Sequence, residues 1–526
     1  MGFSARLLSV ARLWTIVFAL GVAVLSAPIS TEAHVGSPDI YAEGNAGPYR
    51  LLVTIRPPLV IPGVAEIEVR GAQSGAAAGG ASVISGIDIA PIPLTGEASK
   101  HPPVADAMKQ SAQDSQFFTG ALWIMASGSW QVRFTVDGSA GKGVLSIPVP
   151  ATSSSTKGME AGLSLLLGGF GLLLVVGAIG IVGAAARDAQ LPAGASPSNA
   201  GRKRALIAMS VALVLMVAAV WFGNRWWQGE ADNYARYVYK PLSMQATLGP
   251  NQVLTLKIQD PGWIKSRKID DFVLDHDHLM HLYLIRQPGM DIVYHLHPEQ
   301  IAPGEFQLAM PTVPASLFDL YADVVHATGF PETLVTRLNV PQIDGRPLAG
   351  DDAKGSVQPL SALRGAQPSC PVDPVAGPQF RLPDGYTMVW NNPVKKPAKT
   401  PQIFQFSLLD PNGKAPSDMM LYMGMQGHAA FVKDDGSVFA HVHPSGTVSM
   451  AALMMAGAQN QAAQATTGAM AAMQMPMGQP GDLPNSVGFP YGFPAVGAYR
   501  IFVQMKHGNT IETAGFDACA GTAKSQ

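Results

Sequence analysis

The sequence predicts a mainly β protein, with three sandwich domains of immunoglobulin or cupredoxin type and two transmembrane helices. The 526 residues include 55 glycines and 42 prolines spread along the chain, as short strands joined by turns require. Apolar residues make up 47% of the chain and charged residues 14%, a balance that suits membrane segments beside soluble domains. Two apolar runs are long enough to cross a bilayer as helices.

Charge and cysteine content narrow the class of protein. The formal net charge is −2 and no long basic run occurs, so nucleic acid is not an expected partner. Cys370 and Cys519 are the only cysteines, and without a Cys-x-x-Cys pair a thiolate zinc site is excluded. In an oxidising compartment we expect a disulfide between Cys370 and Cys519; the alternative is two unpaired thiols.

Residues 1–33 have the pattern of a secretory signal peptide. Arg6 and Arg12 make the n-region positively charged, an apolar stretch follows, and small residues precede a cleavage site at Ala33. Cleavage after Ala33 leaves His34 as the mature N-terminus; cleavage after Ala27, or none, is the alternative. A secretory start places the following domain outside the cytoplasm.

Two transmembrane helices are predicted at 158–186 and 205–224, joined by a cytoplasmic loop at 187–204. The positive-inside rule assigns the loop to the cytoplasm because it is basic, with Arg187, Arg202, Lys203 and Arg204. Trp221, Trp226 and Trp227 are typical of the outer interface. The predicted location is therefore the cytoplasmic (inner) membrane, with the N-terminal and C-terminal domains in the periplasm or extracytoplasmic space.

Residues 34–155 are predicted to form the first β-sandwich. Short apolar or alternating runs are separated by Pro-Pro, Ser-Gly and Asp-Gly turns. The predicted strands include Tyr49–Ile55, Ala65–Val69, Ala121–Met125, Trp130–Val136 and Val144–Val149. About seven short strands in a domain of this length favour an immunoglobulin-like sandwich.

The C-terminal half contains an internal repeat of two histidine-rich β-domains, at 240–342 and 376–522, separated by a linker at 343–375. In each domain one histidine is followed by His-x-His-Pro and then by another histidine. The first set is His281, His295, His297 and His326; the second set is His428, His441, His443 and His507. The intervals are 14, 2 and 29 residues in the first set and 13, 2 and 64 in the second. The longest interval contains a Met-rich insertion at 450–485.

A β-hairpin is expected to bring three of these histidines together in each domain. Alternate residues of a strand share a face, so His441 and His443 point the same way. The Lys-Asp-Asp-Gly turn predicts a hairpin that puts His428 opposite about Val442. In the first repeat, His281 is expected opposite about Leu296. Cross-strand neighbours are about 5 Å apart, so three imidazoles reach one metal ion in each domain.

Other residues add candidate ligands. His326 and His507 each end a later strand and are predicted fourth ligands. Asp275, His276 and His278 precede the first hairpin and extend its site. The alternative is that the histidines are surface or hydrogen-bonded structural residues, but the recurrence of one pattern in two hairpins favours metal.

Copper is the predicted metal, with zinc as the alternative. Imidazole ligands suit both ions, whereas a thioether favours copper(I). Eleven of the 23 methionines lie between Met419 and Met477, and Met423 and Met425 come just before His428. Met423 and Met425 are therefore candidate ligands as well. The alternative is that these methionines fill gaps in a core.

Two resemblances agree with copper. The Leu-Met-His281 and His295-Leu-His297-Pro segments, with their counterparts at His428, resemble a histidine motif in uncharacterised, copper-associated bacterial membrane proteins. The beginning Ala33-His34-Val-Gly-Ser-Pro resembles the CopC-like copper-resistance carriers, in which a mature N-terminal histidine binds copper. The resemblance implies a third site at His34, although no equivalent of that family's remaining ligands is found.

Three functions follow from these predictions. The first is a membrane-anchored periplasmic protein for copper capture, transfer or resistance, with a copper-accepting or copper-exporting envelope protein as partner. The second is a copper- or zinc-dependent envelope enzyme, against which stands the lack of shared acid–base residues in the two repeats. The third is a structural envelope protein whose histidines are not ligands.

Overall fold

The structure is a computed structural model that describes residues 38–72, 83–156, 158–189, 191–192, 194–264, 267–360, 378–393, 396–465 and 483–521. The predicted signal peptide, His34 and Cys370 lie outside these residues. The described chain is mainly β, as predicted, and contains three long helices.

The first sandwich packs a five-stranded sheet against a four-stranded sheet. Its strands are β1 (Ile40–Ala46), β2 (Tyr49–Arg56), β3 (Gly63–Ala72), β4 (Ile84–Pro93), β5 (Asp106–Ala107), β6 (Lys109–Gln110), β7 (Phe117–Ile124), β8 (Gly128–Gly138) and β9 (Gly141–Ala151). The sheets have the orders β1-β2-β3-β7-β6 and β5-β4-β8-β9. Alternate aliphatic residues of both sheets fill the core between them.

Two long apolar helices follow, α1 (Ala161–Asp188) and α2 (Asn199–Ala235). Both are long and apolar enough to cross a membrane. Helix α2 is longer than predicted because polar residues continue its backbone hydrogen bonding beyond the apolar segment at both ends. After α2, the backbone N–H of Tyr239 donates to the Ser153 carbonyl at 2.7 Å, just where the first sandwich ends. The first sandwich, before α1, and the chain that follows α2 therefore lie at the same end of the helix pair.

Domain one, the first histidine-rich repeat, is a second sandwich. Its strands are β10 (Ser243–Leu248), β11 (Val253–Gln259), β12 (His281–Gln287), β13 (Ile292–Leu296), β14 (Glu299–Ala302), β15 (Glu305–Ala309), β16 (Ser316–Val325), β17 (Pro331–Val340) and β18 (Ala353–Ser356). The sheets have the orders β10-β11-β15-β14 and β17-β16-β12-β13-β18. Strand β18 lies within the predicted linker, which therefore contributes an edge strand to this domain.

Domain two, the second repeat, is a third sandwich with one inserted helix. Its elements are β19 (Gln379–Arg381), β20 (Thr387–Trp390), β21 (Lys396–Pro397), β22 (Gln402–Leu409), β23 (Met419–Met420), β24 (His428–Lys433), β25 (Phe439–Val442), α3 (Met450–Ala465), β26 (Ser486–Tyr491), β27 (Gly497–His507) and β28 (Thr510–Gly521). One sheet has the order β19-β20-β22-β26. The other has the order β21-β28-β27-β24-β25, and β23 also pairs with β27.

The histidine-bearing sheets of domains one and two pack against each other. Leu282 and Leu284 of β12 face the core of domain one, whereas Tyr283 and Ile285 face domain two. A separate hydrophobic cluster joins the domains and consists of Tyr283, Ile285, Met290, Val293, Tyr321, Ala430, Val432, Phe439 and Phe502. These strands are thus buried on both faces, one against the core of their own sandwich and the other against the neighbouring domain.

A buried ion pair closes the interface at the end away from the histidines. Arg500 is 1% exposed and binds Asp517 through two hydrogen bonds, of 2.8 and 3.0 Å. The same guanidinium donates to the carbonyl groups of Met290 and Gln358 in the other half of the interface, at 2.8 and 2.7 Å. Arg500 therefore forms two hydrogen bonds within domain two, to Asp517, and two that connect it to the other half of the interface.

Removal of this arginine is expected to destabilise the docked domains. An Arg500→Ala substitution leaves the Asp517 carboxylate buried without its partner, which costs about 3–5 kcal/mol of unfolding free energy. Lys257→Ala is the control, because Lys257 is 57% exposed and pairs with Glu305 on the surface, where a loss of under about 1 kcal/mol is expected. Chemical denaturation of the full chain in detergent measures both, and equal effects would contradict the expectation.

Candidate metal centre

Eight histidine rings form one largely buried cluster between domains one and two. They are His276, His278, His281, His295 and His297 from domain one and His428, His441 and His443 from domain two. The sequence predicted one site in each domain, but the two sets face each other. The His281 ring is 5.4 Å from that of His441, and the His295 ring is 6.4 Å from that of His428, between centroids. The two predicted sites are therefore parts of a single cluster.

The hairpin of domain two brings its three histidines to one face, but in a different register from the predicted one. Ala429 pairs with Val442, so the next position in register places His428 beside His443, with ring centroids 5.1 Å apart. The observed partner is thus one residue from the approximate prediction of about Val442. Directly opposed residues share a face, so this register puts His428 on the same face as His441 and His443. The loop closes between Lys433 and Val438, later than the predicted turn.

The hairpin of domain one has the same corrected register. Leu282 pairs with Leu296, so His281 lies beside His297 and not beside Leu296. The His281 and His297 rings are 5.1 Å apart. His295 lies on the same face of β13, and its ring is 5.3 Å from that of His281.

Matching tight turns precede the two hairpins. Asp275–His278 and Tyr422–Met425 are each closed by two backbone hydrogen bonds between their end residues, 2.8 and 3.1 Å in the first turn and 2.7 and 3.1 Å in the second. The two central residues of each turn have positive φ. Equivalent positions in the repeat are therefore His276 with Met423 and His278 with Met425.

The first of these turns carries His276 across to domain two. Its ring is 4.9 Å from that of His428 and 4.8 Å from that of His443. The ring nitrogens of these three residues lie within 4.8 Å of one another, as metal ligands do. His278 instead stacks on His297 at 3.8 Å. The sequence could have indicated this role for His276, because its turn lies at the same distance before His281 as the methionine turn lies before His428.

A second group of three histidines meets the same criterion. The ring nitrogens of His281, His295 and His297 lie within 4.8 Å of one another. His441 lies between the groups, with its ring 5.4 Å from both His281 and His428. Each group and His441 together offer enough donors for at least two metal ions.

Oxygen atoms hold several of these rings on the side away from the cluster. Each oxygen accepts a hydrogen bond from the outer ring nitrogen. The pairs are His276 with the Met423 carbonyl (2.8 Å), His297 with Asp352 (3.2 Å) and His443 with the Val448 carbonyl (3.2 Å), and the Asp323 carboxyl group lies near the Nδ1 atom of His441, at 3.3 Å. Because the proton is thereby held on the outer nitrogen, the inner nitrogen carries the lone pair, as in histidine ligands of metal sites.

The inner nitrogens have no protein partner among the described residues. The Nε2 atoms of His276, His297, His441 and His443 and both ring nitrogens of His428 are buried without a hydrogen bond. Each unsatisfied buried polar atom costs about 1–3 kcal/mol. Several such atoms directed into one cluster are explained by a ligand that accepts electron pairs, and a metal ion does so.

His281 and His295 give a second argument for a cation. His281 Nε2 donates to the Asp275 carbonyl at 2.9 Å, and His295 Nδ1 donates to Gln504 Oε1 at 2.9 Å. Their remaining nitrogens, which then both carry lone pairs, lie 3.1 Å apart. Two lone pairs at this distance repel each other unless a proton or a metal ion binds them. Burial lowers the pKa of both rings well below the ordinary value, which favours the metal ion.

The other buried rings of the cluster also have depressed pKa values. Burial is the largest cause, and neighbouring histidines add to it. The pKa falls to about 3 for His297 and His443, and well below the ordinary value for His428 and His441. Burial also raises the pKa of Asp323, which contacts His441 from domain one, to about 7. Neutral imidazole is the form that binds metal, so the cluster is preset for ligation at neutral pH.

His326 and His507 do not belong to this cluster, contrary to their prediction as fourth ligands. Each lies three positions beyond a residue that faces the interface, Asp323 and Gln504, and so points to the other side of its sheet. Both nitrogens of His326 are bonded to carboxylates, to Asp271 at 2.7 Å and to Glu332 at 3.4 Å.

His507 lies in a different group of possible ligands. Its Nδ1 is 3.3 Å from Asp418, and its Nε2 is 3.3 Å from Glu512 and 3.7 Å from Asp384. Nitrogen and carboxylate atoms of Asp384, His507 and Glu512 are close enough to hold a cation. The Tyr386 ring stacks on His507 at 4.0 Å. Exposed Asp384 distinguishes this group from the buried histidine cluster.

Of the remaining predicted site residues, the structure describes Met423, Met425 and Cys519. Met423 and Met425 are 8% and 7% exposed, and Met423 packs with Tyr422 and Ala353 beside the centre. Cys519 on β28 is disulfide-bonded, while Cys370 lies outside the described residues. His34 also lies outside them, so its role stays a prediction.

The Met-rich insertion begins at the cluster. The backbone N–H of Ala451, in the first turn of α3, donates to the Asp275 side chain at 2.7 Å. Further along α3, Asn460 accepts hydrogen bonds from Arg133 and Ser146 of the first sandwich, both at 3.0 Å. The described part of the insertion is thus a helix that runs from the histidine cluster to the N-terminal domain.

Comparison with known proteins adds little about function. The model of a domain of unknown function, DUF8832, matches residues 381–521, which is most of domain two. No curated protein matches the chain.

Similar solved structures are remote. A tetra-tandem repeat from the extending region of a large adhesion protein is 8% identical over 88% of this chain and 71% of that one, with a TM-score of 0.15. The bacterial integrin-binding protein invasin is 8% identical over 90% and 60%, with a TM-score of 0.14. Trypsin-activated α-2-macroglobulin from Escherichia coli is 8% identical over 94% and 24%, with a TM-score of 0.15. Likenesses at these TM-scores carry no argument.

The metal-free protein is expected to lose stability as the pH falls below about 6.5. The unfolded histidines take up protons there, whereas His297 and His443 in the folded state do so only near pH 3. Each contributes a loss of about 1.4 kcal/mol between pH 7.5 and 5.5, and on the order of 5 kcal/mol by pH 3, against a typical stability of about 5–15 kcal/mol. Circular dichroism of chelator-treated protein during thermal unfolding at pH 7.5 and 5.5 measures the loss. Equal melting temperatures would contradict it.

Proposed function

We propose that this protein is a membrane-anchored, extracytoplasmic copper-binding protein whose two C-terminal domains hold one shared centre for at least two ions. The observation that carries the proposal is the set of buried imidazole nitrogens without partners. They come from both domains and converge on one region between them. A structural role alone would leave their desolvation uncompensated.

The donor set supports copper over zinc. Imidazole suits both ions, but a structural zinc ion usually has four protein ligands and no open coordination position. Here each three-histidine group leaves a position free, and the buried methionines Met423 and Met425 lie in the turn that contacts His276. A thioether ligand favours copper(I), so methionines in this turn support copper over zinc.

The helix pair supports a location at the membrane surface. Because Tyr239 returns to Ser153, the sandwich before the helices and the domains after them are on one side of the pair. The basic loop between the helices belongs on the cytoplasmic side by the positive-inside rule. In this proposal the centre lies in the periplasm or extracytoplasmic space.

Burial of the centre supports tight holding of copper. His281, His295 and His428 are at most 2% exposed, so an ion bound among them is shielded from solvent and from reductants. The protein then protects the envelope against copper and releases the ion to a copper-accepting or copper-exporting envelope protein. Rapid exchange with free ions in solution is not expected from this geometry.

A copper-dependent envelope enzyme is the second candidate. One observation favours it: the two three-histidine groups are adjacent and leave coordination positions free, as catalytic metal sites do. Asp323 supplies a buried carboxyl group at His441. Turnover of an oxidisable substrate by the copper-loaded protein would favour this candidate over holding and transfer.

Metal content tests the proposal directly. The metal bound by the full chain in detergent is measured by mass spectrometry as purified, and again after copper loading and removal of free ions. The same measurements are made on a quadruple variant, His295→Ala, His297→Ala, His441→Ala and His443→Ala. At least two coppers per chain are expected, with loss in the variant. No copper above the variant would overturn the proposal and leave the histidines as structural residues; zinc in place of copper would overturn only the choice of metal.

A single substitution tests whether the domains share the centre. His276→Ala is expected to remove the ion held with His428 and His443, although both of those ligands remain, because the third donor comes from domain one. His101→Ala is the control, since His101 is an exposed residue of the first sandwich. Circular dichroism checks that each variant is folded. Full copper content with unchanged affinity in His276→Ala would mean two separate sites.

A further inference from the structure

We infer that the two ions share one small bridging anion, and that the Tyr283 hydroxyl donates a hydrogen bond to it. This inference rests on the proposed function, because it requires both three-histidine groups to be occupied. It goes beyond metal binding, since an exchangeable ligand between two ions makes the centre able to bind and activate a small molecule.

The separation of the groups supports a shared ligand. Across the boundary, the His281 ring is 6.0 Å from that of His276, and the His295 ring is 6.4 Å from that of His428. An ion bound by the inner nitrogens of each group would lie on the side that faces the other group, so two such ions would be closer together than these rings. The spacing of about 4 Å at which two metal ions share an oxygen ligand is therefore within reach.

The number of donors leaves room for such a ligand. Each group supplies three imidazoles, and His441 lies equally far from His281 and His428. One histidine cannot complete both ions. The ligand set is also uncharged, because imidazole binds a metal ion in its neutral form, so two copper(II) ions would bring positive charge into a buried region. A bridging anion such as hydroxide fills the free positions and lowers that charge.

An unexplained hydroxyl group lies beside the same region. The Tyr283 hydroxyl is buried and has no hydrogen-bond partner among the described residues. Its ring stacks on His295 at 4.1 Å with an angle of 15°, and its centroid is 5.2 Å from that of His441. Packing alone would be served by phenylalanine, as at Phe439 and Phe502 in the same hydrophobic cluster.

The repeat shows that the tyrosine is specific to one half of the centre. Tyr283 pairs with His295 across the hairpin of domain one, and Ala430 pairs with His441 at the equivalent place in domain two. A buried hydroxyl without a partner costs about as much as a lost hydrogen bond. An acceptor that is not part of the protein, bound at the ions, accounts for its presence.

Electron paramagnetic resonance tests the shared ligand. Copper(II)-loaded full chain is measured for total copper by mass spectrometry and for unpaired spins by signal integration, before and after acid denaturation. A bridged pair of copper(II) ions couples its spins, so we expect at least two coppers per chain, few spins in the native protein and full recovery after denaturation. Full spin intensity in native protein with two bound coppers would overturn the bridge and leave the proposed function intact; absence of bound copper would instead overturn the proposed function.

Azide titration tests the role of Tyr283. Azide replaces the bridging anion, and its binding to copper(II) is followed by the charge-transfer absorption it produces. Tyr283→Phe is expected to keep the copper content but to weaken azide binding about tenfold, the effect of one hydrogen bond to a charged group. The control is Tyr321→Phe, because Tyr321 stacks on Phe439 in the same interface but directs its hydroxyl to Gly436 at the hairpin turn. Equal azide affinity in wild type and Tyr283→Phe would overturn the assignment to Tyr283.

Discussion

Desolvation of imidazole nitrogens is the constraint on which the C-terminal half depends. Eight histidines lie where two β-sheets pack together, and that interface removes water from their rings. Oxygen acceptors on the outer side hold several of the rings, as Asp352 holds His297 and Val448 holds His443. The inner nitrogens are left with lone pairs and no partner among the described residues. In the proposed function a metal ion compensates for this burial, so that the site and the domain interface would stabilise each other.

The buried histidines are supplied by both domains, so the free-energy cost of desolvating their rings is divided between the two domains. In β12 and β24 one face belongs to the sandwich core and the other to the interface, so each hairpin can present histidines without opening its own core. Cross-domain contacts then join the halves: His276 reaches His428 and His443, and Asp323 reaches His441. Arg500 ties the opposite end of the interface. Neither domain contains the complete histidine cluster by itself.

The two repeats have diverged at the centre. The turns at 275–278 and 422–425 share a backbone conformation, but one carries histidines and the other methionines. Opposite the second histidine of each hairpin, domain one has Tyr283 and domain two has Ala430. These differences make the two halves of the centre chemically unlike. In the proposed function, the two ions would therefore be held in unlike surroundings, and the small ligand would lie on the side of Tyr283.

The sequence by itself determined the β class, the two apolar helices and the hairpins that put three histidines on one face. These features depend on local pattern: alternation along a strand, turn residues and runs of apolar side chains. It did not determine the register of the hairpins. It also did not determine that His326 and His507 lie outside the cluster, or that the two predicted sites form one cluster. Strand register depends on where a turn closes, as at Lys433 and Val438, and domain docking depends on shape across strands far apart in the chain. Only the tertiary structure decided these, because contacts such as that of His281 with His441 are made between domains and leave no local periodicity to detect.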